Sequence, residues 1–206
     1  MIMNNLKEYI QEKLVIGKNI IHKSKIQVST KEELRKILEE RLRENKNADL
    51  NDLDISQITD MADLFYGLDP HDIKINSWNV FNCKNMKYMF CGCKNFNSNL
   101  SNWNVSNVQY MDGMFLGCNN FNSDLSKWDV SNVENMNKMF ANCSKFNSDL
   151  SKWDVSKVKY MVEMFSGCFE LNCDLSNWNV QRNVQKANMF YDTKYFNKKP
   201  KWYSNI

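Results

Sequence analysis

Apolar residues recur along this chain in a fixed frame. Phe65, Phe90, Phe115, Phe140, Phe165 and Phe190 follow one another every 25 residues, and Trp78, Trp103, Trp128, Trp153 and Trp178 keep the same step, with Leu53 in the earlier slot. Val80, Val105, Val130, Val155 and Val180, preceded by Ile55, form a third series, and Leu50, Ile75, Leu100, Leu125, Leu150 and Leu175 a fourth. Six units therefore run without insertion from about residue 50 to about residue 199. Self-similarity at such a period marks a repeat architecture, in which each unit buries its apolar face against its neighbours.

Within a unit the spacing reads L-x-x-W-x-V-x-x-V, as in Leu125, Trp128, Val130 and Val133. That form resembles the strand segment of a leucine-rich repeat. Alternation places Trp128 and Val130 on one face of an extended segment, with Lys127, Asp129 and Ser131 on the other. M-x-x-M-F follows, as in Met136, Met139 and Phe140, and its spacing of three and four predicts a short helical return. The expected fold is a repeat solenoid of mixed α/β class: stacked coils, a parallel sheet of short strands, and short helical returns.

Open ends of such a stack need caps. Residues 1–49 predict a helix–strand–helix cap: "NLKEYIQEKL" from Asn5, "KIQVS", then "STKEELRKILEERLREN". The last carries a capping box, Ser29 with Glu32 or Thr30 with Glu33, and an apolar stripe of Leu34, Ile37, Leu38 and Leu42. Units 50–199 form the body. At residues 200–206 the frame decays: Pro200 falls in the Leu series and Trp202 one place early, which reads as a stop.

Composition narrows the class. Apolar residues make 43% and aromatics 13% of 206 residues, too much for a disordered chain. With six Gly and two Pro, the turns fall to Asn, Asp and Ser. Net charge is +3; residues 50–199 hold fifteen Lys/Arg against sixteen Asp/Glu, so no basic stripe for tracking nucleic-acid phosphates is expected. The first residues show neither a signal peptide nor a membrane anchor, and the expectation is a cytoplasmic protein whose seven cysteines are reduced.

"FNSDLSKWDVSNVENMNKMF" is similar to the bacterial BspA-type leucine-rich-repeat surface proteins, in particular the 25-residue Mycoplasma-type subgroup filed as a domain of unknown function. The resemblance covers residues 50–199. It implies a leucine-rich-repeat solenoid with a role in adhesion or protein binding, and it supplies no catalytic residues. The expectation departs from it in one respect: neither an export signal nor a lipid-attachment cysteine is read near the start of the sequence.

Candidate chemistry is sparse. Cys93, Cys118, Cys143 and Cys168 form a ladder with one thiol per coil, whereas zinc needs ligands converging tetrahedrally; buried structural thiols are expected, and no metal or other cofactor. Asn97, Asn122, Asn147, Asn172 and Asn197 are expected to bond each other and the turn backbone, and Asp124, Asp149 and Asp174 to form turns. The two histidines, His22 and His71, accompany no phosphate loop or nucleophile motif, so no enzyme is expected. Outward positions of the strand offer a binding face: Asn79, Asn102, Asn104, Lys127, Asp129, Lys152 and Asp154, with Phe81 an aromatic among serines that either anchors a contact or packs beneath the cap. Tyr110 and Tyr160 add aromatics on the return. The expected function is a non-catalytic protein-binding module with a protein partner; the alternatives are a soluble inhibitor or decoy docking on a macromolecule such as a nucleic-acid-processing enzyme, and a cell-surface adhesin. No direct nucleic-acid, membrane or small-molecule partner is expected.

Overall fold

The computed structural model describes residues 24–194 and 199–204. Its regular elements are β1 (Ile26–Gln27), α1 (Lys31–Glu44), β2 (Leu53–Asp54) and α2 (Lys201–Ser204). The helix expected from Asn5 lies outside the described residues. Everything between Ile55 and Thr193 is built from turns linked by isolated parallel bridges.

α1 begins where the sequence allows a capping box. The Thr30 hydroxyl accepts from the Glu33 N–H at 3.1 Å, and the Glu33 carboxylate accepts from the Ser29 N–H, one residue ahead of the cap. Leu34, Ile37, Leu38 and Leu42 are all buried, each removing about 1.5–3 kcal/mol of apolar cost from water. The helix lies against the first unit. Arg35 donates to the Leu64 carbonyl at 2.8 Å, and Lys31 and Arg41 pair with Asp60 and Asp52. Leu64 O corresponds to Met89 O one unit later, which takes the Phe65 N–H. Arg35 therefore satisfies an acceptor that no preceding unit can reach.

Successive units lie against one another at the expected 25-residue offset, joined by parallel bridges Asp60↔Asn85, Asn85↔Tyr110, Tyr110↔Asn135, Asn135↔Tyr160 and Tyr160↔Gln185. The N–H groups of Met61, Met86, Met111, Met136 and Met161 donate to Asn85, Tyr110, Asn135, Tyr160 and Gln185 at 2.7–3.0 Å. Positions two and four residues later repeat the pattern. The ladder thus runs through the M-x-x-M-F segment, where the sequence predicts a helical return, and that segment is not helical. Its third residue is left-handed in every unit: Asp63, Tyr88, Gly113, Lys138, Glu163 and Asn188 have φ between 51 and 61°. One such residue per unit ends any right-handed turn and sends alternate N–H groups outward to the next unit.

Among the described residues the L-x-x-W-x-V segment, where the strands were expected, has main-chain pairing only at the first unit: Leu53–Asp54 pairs with Ile26–Gln27 of the cap, and the Leu50 N–H donates to Lys74 O at 2.9 Å beside the bridge Asp49↔Lys74. Tight turns bound the segment instead, from Trp103 N to Leu100 O and from Val108 N to Val105 O. Trp78 and Trp103 stack with centroids 6.3 Å apart and planes within 6°, and each indole N–H bonds back to the unit before it. Trp103, Trp128, Trp153 and Trp178 each donate to the Leu-series carbonyl of the preceding unit at 2.9–3.0 Å.

Buried rows follow the sequence frame. Phe90, Phe115, Phe140 and Phe165 stack at 5.6–5.7 Å with planes within 7°. Trp202 does not break the series: it stacks on Trp178 at 6.0 Å and donates to Leu175 O at 2.7 Å, adding one more indole rung. Tyr203 packs edge-on against Phe190. No helix among the described residues is long and apolar enough to cross a membrane.

Candidate functional site

The expected binding face divides on its hydrogen bonds. Asn79, Asn104, Asp129 and Asp154 each accept from the main-chain N–H two residues on, at 3.0–3.2 Å. Exposed as they are, these four hold their own turns, the same work done by Asp124, Asp149 and Asp174 at the preceding corner. The bond to a serine N–H holds the carboxyls of Asp124, Asp149 and Asp174 below their ordinary range; for Asp154 the serine hydroxyl contributes most. Asn102, Lys127 and Lys152 are exposed and make no hydrogen bond among the described residues.

Three aromatics stand out of the frame. Phe81 is 45% exposed, Tyr110 43% and Tyr160 39%. The cap segment that could lie over Phe81, residues 1–23, falls outside the described residues. Phe81 precedes Asn85 by four residues, and bridges link Asn85 to Tyr110 and, through Asn135, to Tyr160, so the three fall at the same corner of the repeat in three different units. That corner also holds an open depression of about 340 Å³ lined by Glu134, Ser156, Lys157, Val158, Lys159, Gln181 and Asn183. Its charges are tied down: Lys159 pairs with Glu134 at 2.6 Å and Lys157 donates to Asn132 at 2.7 Å.

Sequence reasoning passed over Tyr66, Phe169 and Tyr191, which are exposed at other corners. The signal was present as row breaks: Tyr66 and Tyr191 share a row with Cys91, Leu116, Ala141 and Ser166.

The thiol ladder is interior. Cys93, Cys118, Cys143 and Cys168 donate to the carbonyls of Phe65, Phe90, Phe115 and Phe140 of the preceding unit. Burial pushes Cys93 and Cys168 up to about 12, and Cys118 and Cys143 well above their ordinary value, so none is a thiolate at neutral pH. Among the described residues no three His, Cys, Asp or Glu side chains converge as a metal's ligands would. The asparagine ladder is external: Asn122, Asn147 and Asn172 donate main-chain N–H groups to the side-chain oxygens of Asn97, Asn122 and Asn147 at 2.8–2.9 Å. Asn197 lies outside the described residues, as does His22. His71 bonds through its backbone to Lys46 and Asn97.

One family model, described as Mycoplasma protein of unknown function, DUF285, matches residues 33–132 and 103–203. No curated protein and no solved structure matches.

Proposed function

The chain belongs to the DUF285 family, a repeat domain of unknown function, and from that premise we propose that it is a non-catalytic protein-binding module, built as a leucine-rich-repeat-like solenoid of the BspA type. The observation that supports this reading is the exposure of Phe81, Tyr110 and Tyr160 on one corner of a frame whose neighbouring main chains are bonded at every step. A frame held this way presents aromatic side chains without ordering a loop, so little entropy opposes docking. Large aromatics with polar surroundings are the residues that dominate interfaces. Asn102, Lys127 and Lys152 would form a polar margin.

The test is capture of a cytosolic partner by the wild type and by Phe81→Ser, with thermal unfolding of both. Phe81→Ser is expected to weaken capture at least ten-fold and to leave the unfolding midpoint within a degree or two. Equal capture by both proteins would remove the corner from the interface.

A further inference from the structure

The last unit ends in an edge whose hydrogen-bonding pattern is set by the five units before it. In the fifth unit Met161, Glu163 and Gly167 donate their N–H groups to the carbonyls of Gln185, Ala187 and Tyr191 at 2.7–2.9 Å. One unit on, the equivalent donors are those of Lys186, Asn188 and Asp192, and none of the three has an acceptor among the described residues. Main-chain N–H groups in one row, here the first, second and fourth of its positions, are what an extended chain pairs with when it joins a sheet edge.

Lys186 is the second, independent sign. It occupies the slot that holds Met61, Met86, Met111, Met136 and Met161 in the earlier units. Only 4% of it is exposed, yet it has no carboxylate partner among the described residues. Among the described residues no fully buried side-chain nitrogen or oxygen lacks a hydrogen bond, so its ammonium, which makes none, reaches water. It does so in a hollow of about 380 Å³, lined also by Val162, Val184, Gln185, Ala187 and Tyr203, that is mostly apolar. A cation held in an apolar hollow favours an anion brought to it, because the pair then replaces water poorly placed to solvate the charge. The surrounding sequence agrees: residues 182–201 carry six Lys/Arg against one Asp.

We infer that this end of the stack is a docking edge for an extended acidic segment of another protein. The segment runs parallel to residues 185–192 as an additional rung. Its alternate carbonyls accept from the N–H groups of Lys186, Asn188 and Asp192, an apolar side chain enters the hollow beside Val184 and Tyr203, and a carboxylate meets the Lys186 ammonium. The surface is separate from the Phe81 corner, so either can fail without the other.

The probe is an acetylated, amidated heptapeptide of alternating Val and Glu, with a Val–Lys counterpart. Binding is read by fluorescence anisotropy, and the Lys186, Asn188 and Asp192 amides by hydrogen exchange. The Val–Glu peptide is expected to bind and to slow exchange at those three amides at least ten-fold. Lys186→Met, which restores the repeat's own residue, is expected to weaken binding at least ten-fold, with Lys186→Gln as a second neutral variant; Phe81→Ser should bind the peptide like the wild type. The proposal is overturned if the Val–Glu peptide does not bind, if Val–Lys or the Lys186 variants bind equally, or if the three amides are already protected in the free protein, which would put the chain's own residues in the rung. Sedimentation as a dimer that Lys186→Met dissolves would assign the edge to a second copy and overturn it as well.

Discussion

Replacing Gly113 by alanine isolates one contact that the repeat frame does not dictate. Gly113 has φ +61°, and a Cβ built there would fall inside the ring of Tyr88, its counterpart one unit earlier. Two costs follow, and they can be separated. The left-handed backbone is occupied at the same row by Tyr88, Lys138 and Glu163, so an L side chain is tolerated there, at about 1 kcal/mol relative to glycine. Displacing the Tyr88 ring adds an overpacking cost of about 1–3 kcal/mol. Tyr88 is only half-buried and can swing outward, which places this part near the lower end. Gly113→Ala should therefore destabilise the protein by about 2–3 kcal/mol, but by only about 1 kcal/mol in a Tyr88→Ala background, where the ring is gone. Urea unfolding of the four proteins of this cycle, followed by tryptophan fluorescence, gives both numbers. A Gly113→Ala cost that is the same in both backgrounds would show that the ring does not lie over the glycine, and the reasoning would fall.

Three further outcomes follow from the same bonds. Trp128→Phe removes the indole donor to Leu100 O but leaves that carbonyl its Trp103 N–H, so the loss should be about 1–3 kcal/mol, most of it packing; a midpoint unchanged in urea would refute the bridging role. Arg35→Met uncovers the Leu64 carbonyl and should cost about 1–2 kcal/mol, with amide exchange in residues 50–70 accelerating before that of the later units; uniform acceleration would count against a capping role. Asp54, Asp124, Asp149, Asp154 and Asp174 titrate below their ordinary range in the folded chain, so the stability they lend is complete above about pH 4–5 and is lost as pH falls through their lowered values. The thermal midpoint should fall on acidification below about pH 4, and a flat profile to about pH 2.5 would refute this.

Much of this protein is legible one residue at a time. The 25-residue step, the buried Phe, Trp, Val, Met and Cys rows, and the stripe and cap of α1 all follow from side-chain identity, because each residue type records whether its own position meets water. Asp124 and its equivalents were readable as turn residues for the same reason, while Asn79, Asn104, Asp129 and Asp154, with the same chemistry two positions after the next corner, were read as a surface for others. The difference lies in a bond to the second N–H along, which depends on local backbone geometry.

Only the tertiary structure decided where the units bond to one another. The sequence by itself determined that W-x-V alternates and that M-x-x-M-F is spaced like a helix, but hydrogen bonding between units depends on the distance between neighbouring main chains. On one side the indole N–H groups bond back to the preceding unit, and on the other a left-handed residue at Tyr88 and its equivalents turns the donors toward the next unit. Both are properties of two units in contact. For that reason the ladder, the place of Lys186 in its last row and the Arg35 bond to the Leu64 carbonyl were absent from the one-dimensional pattern and appear once the units are stacked.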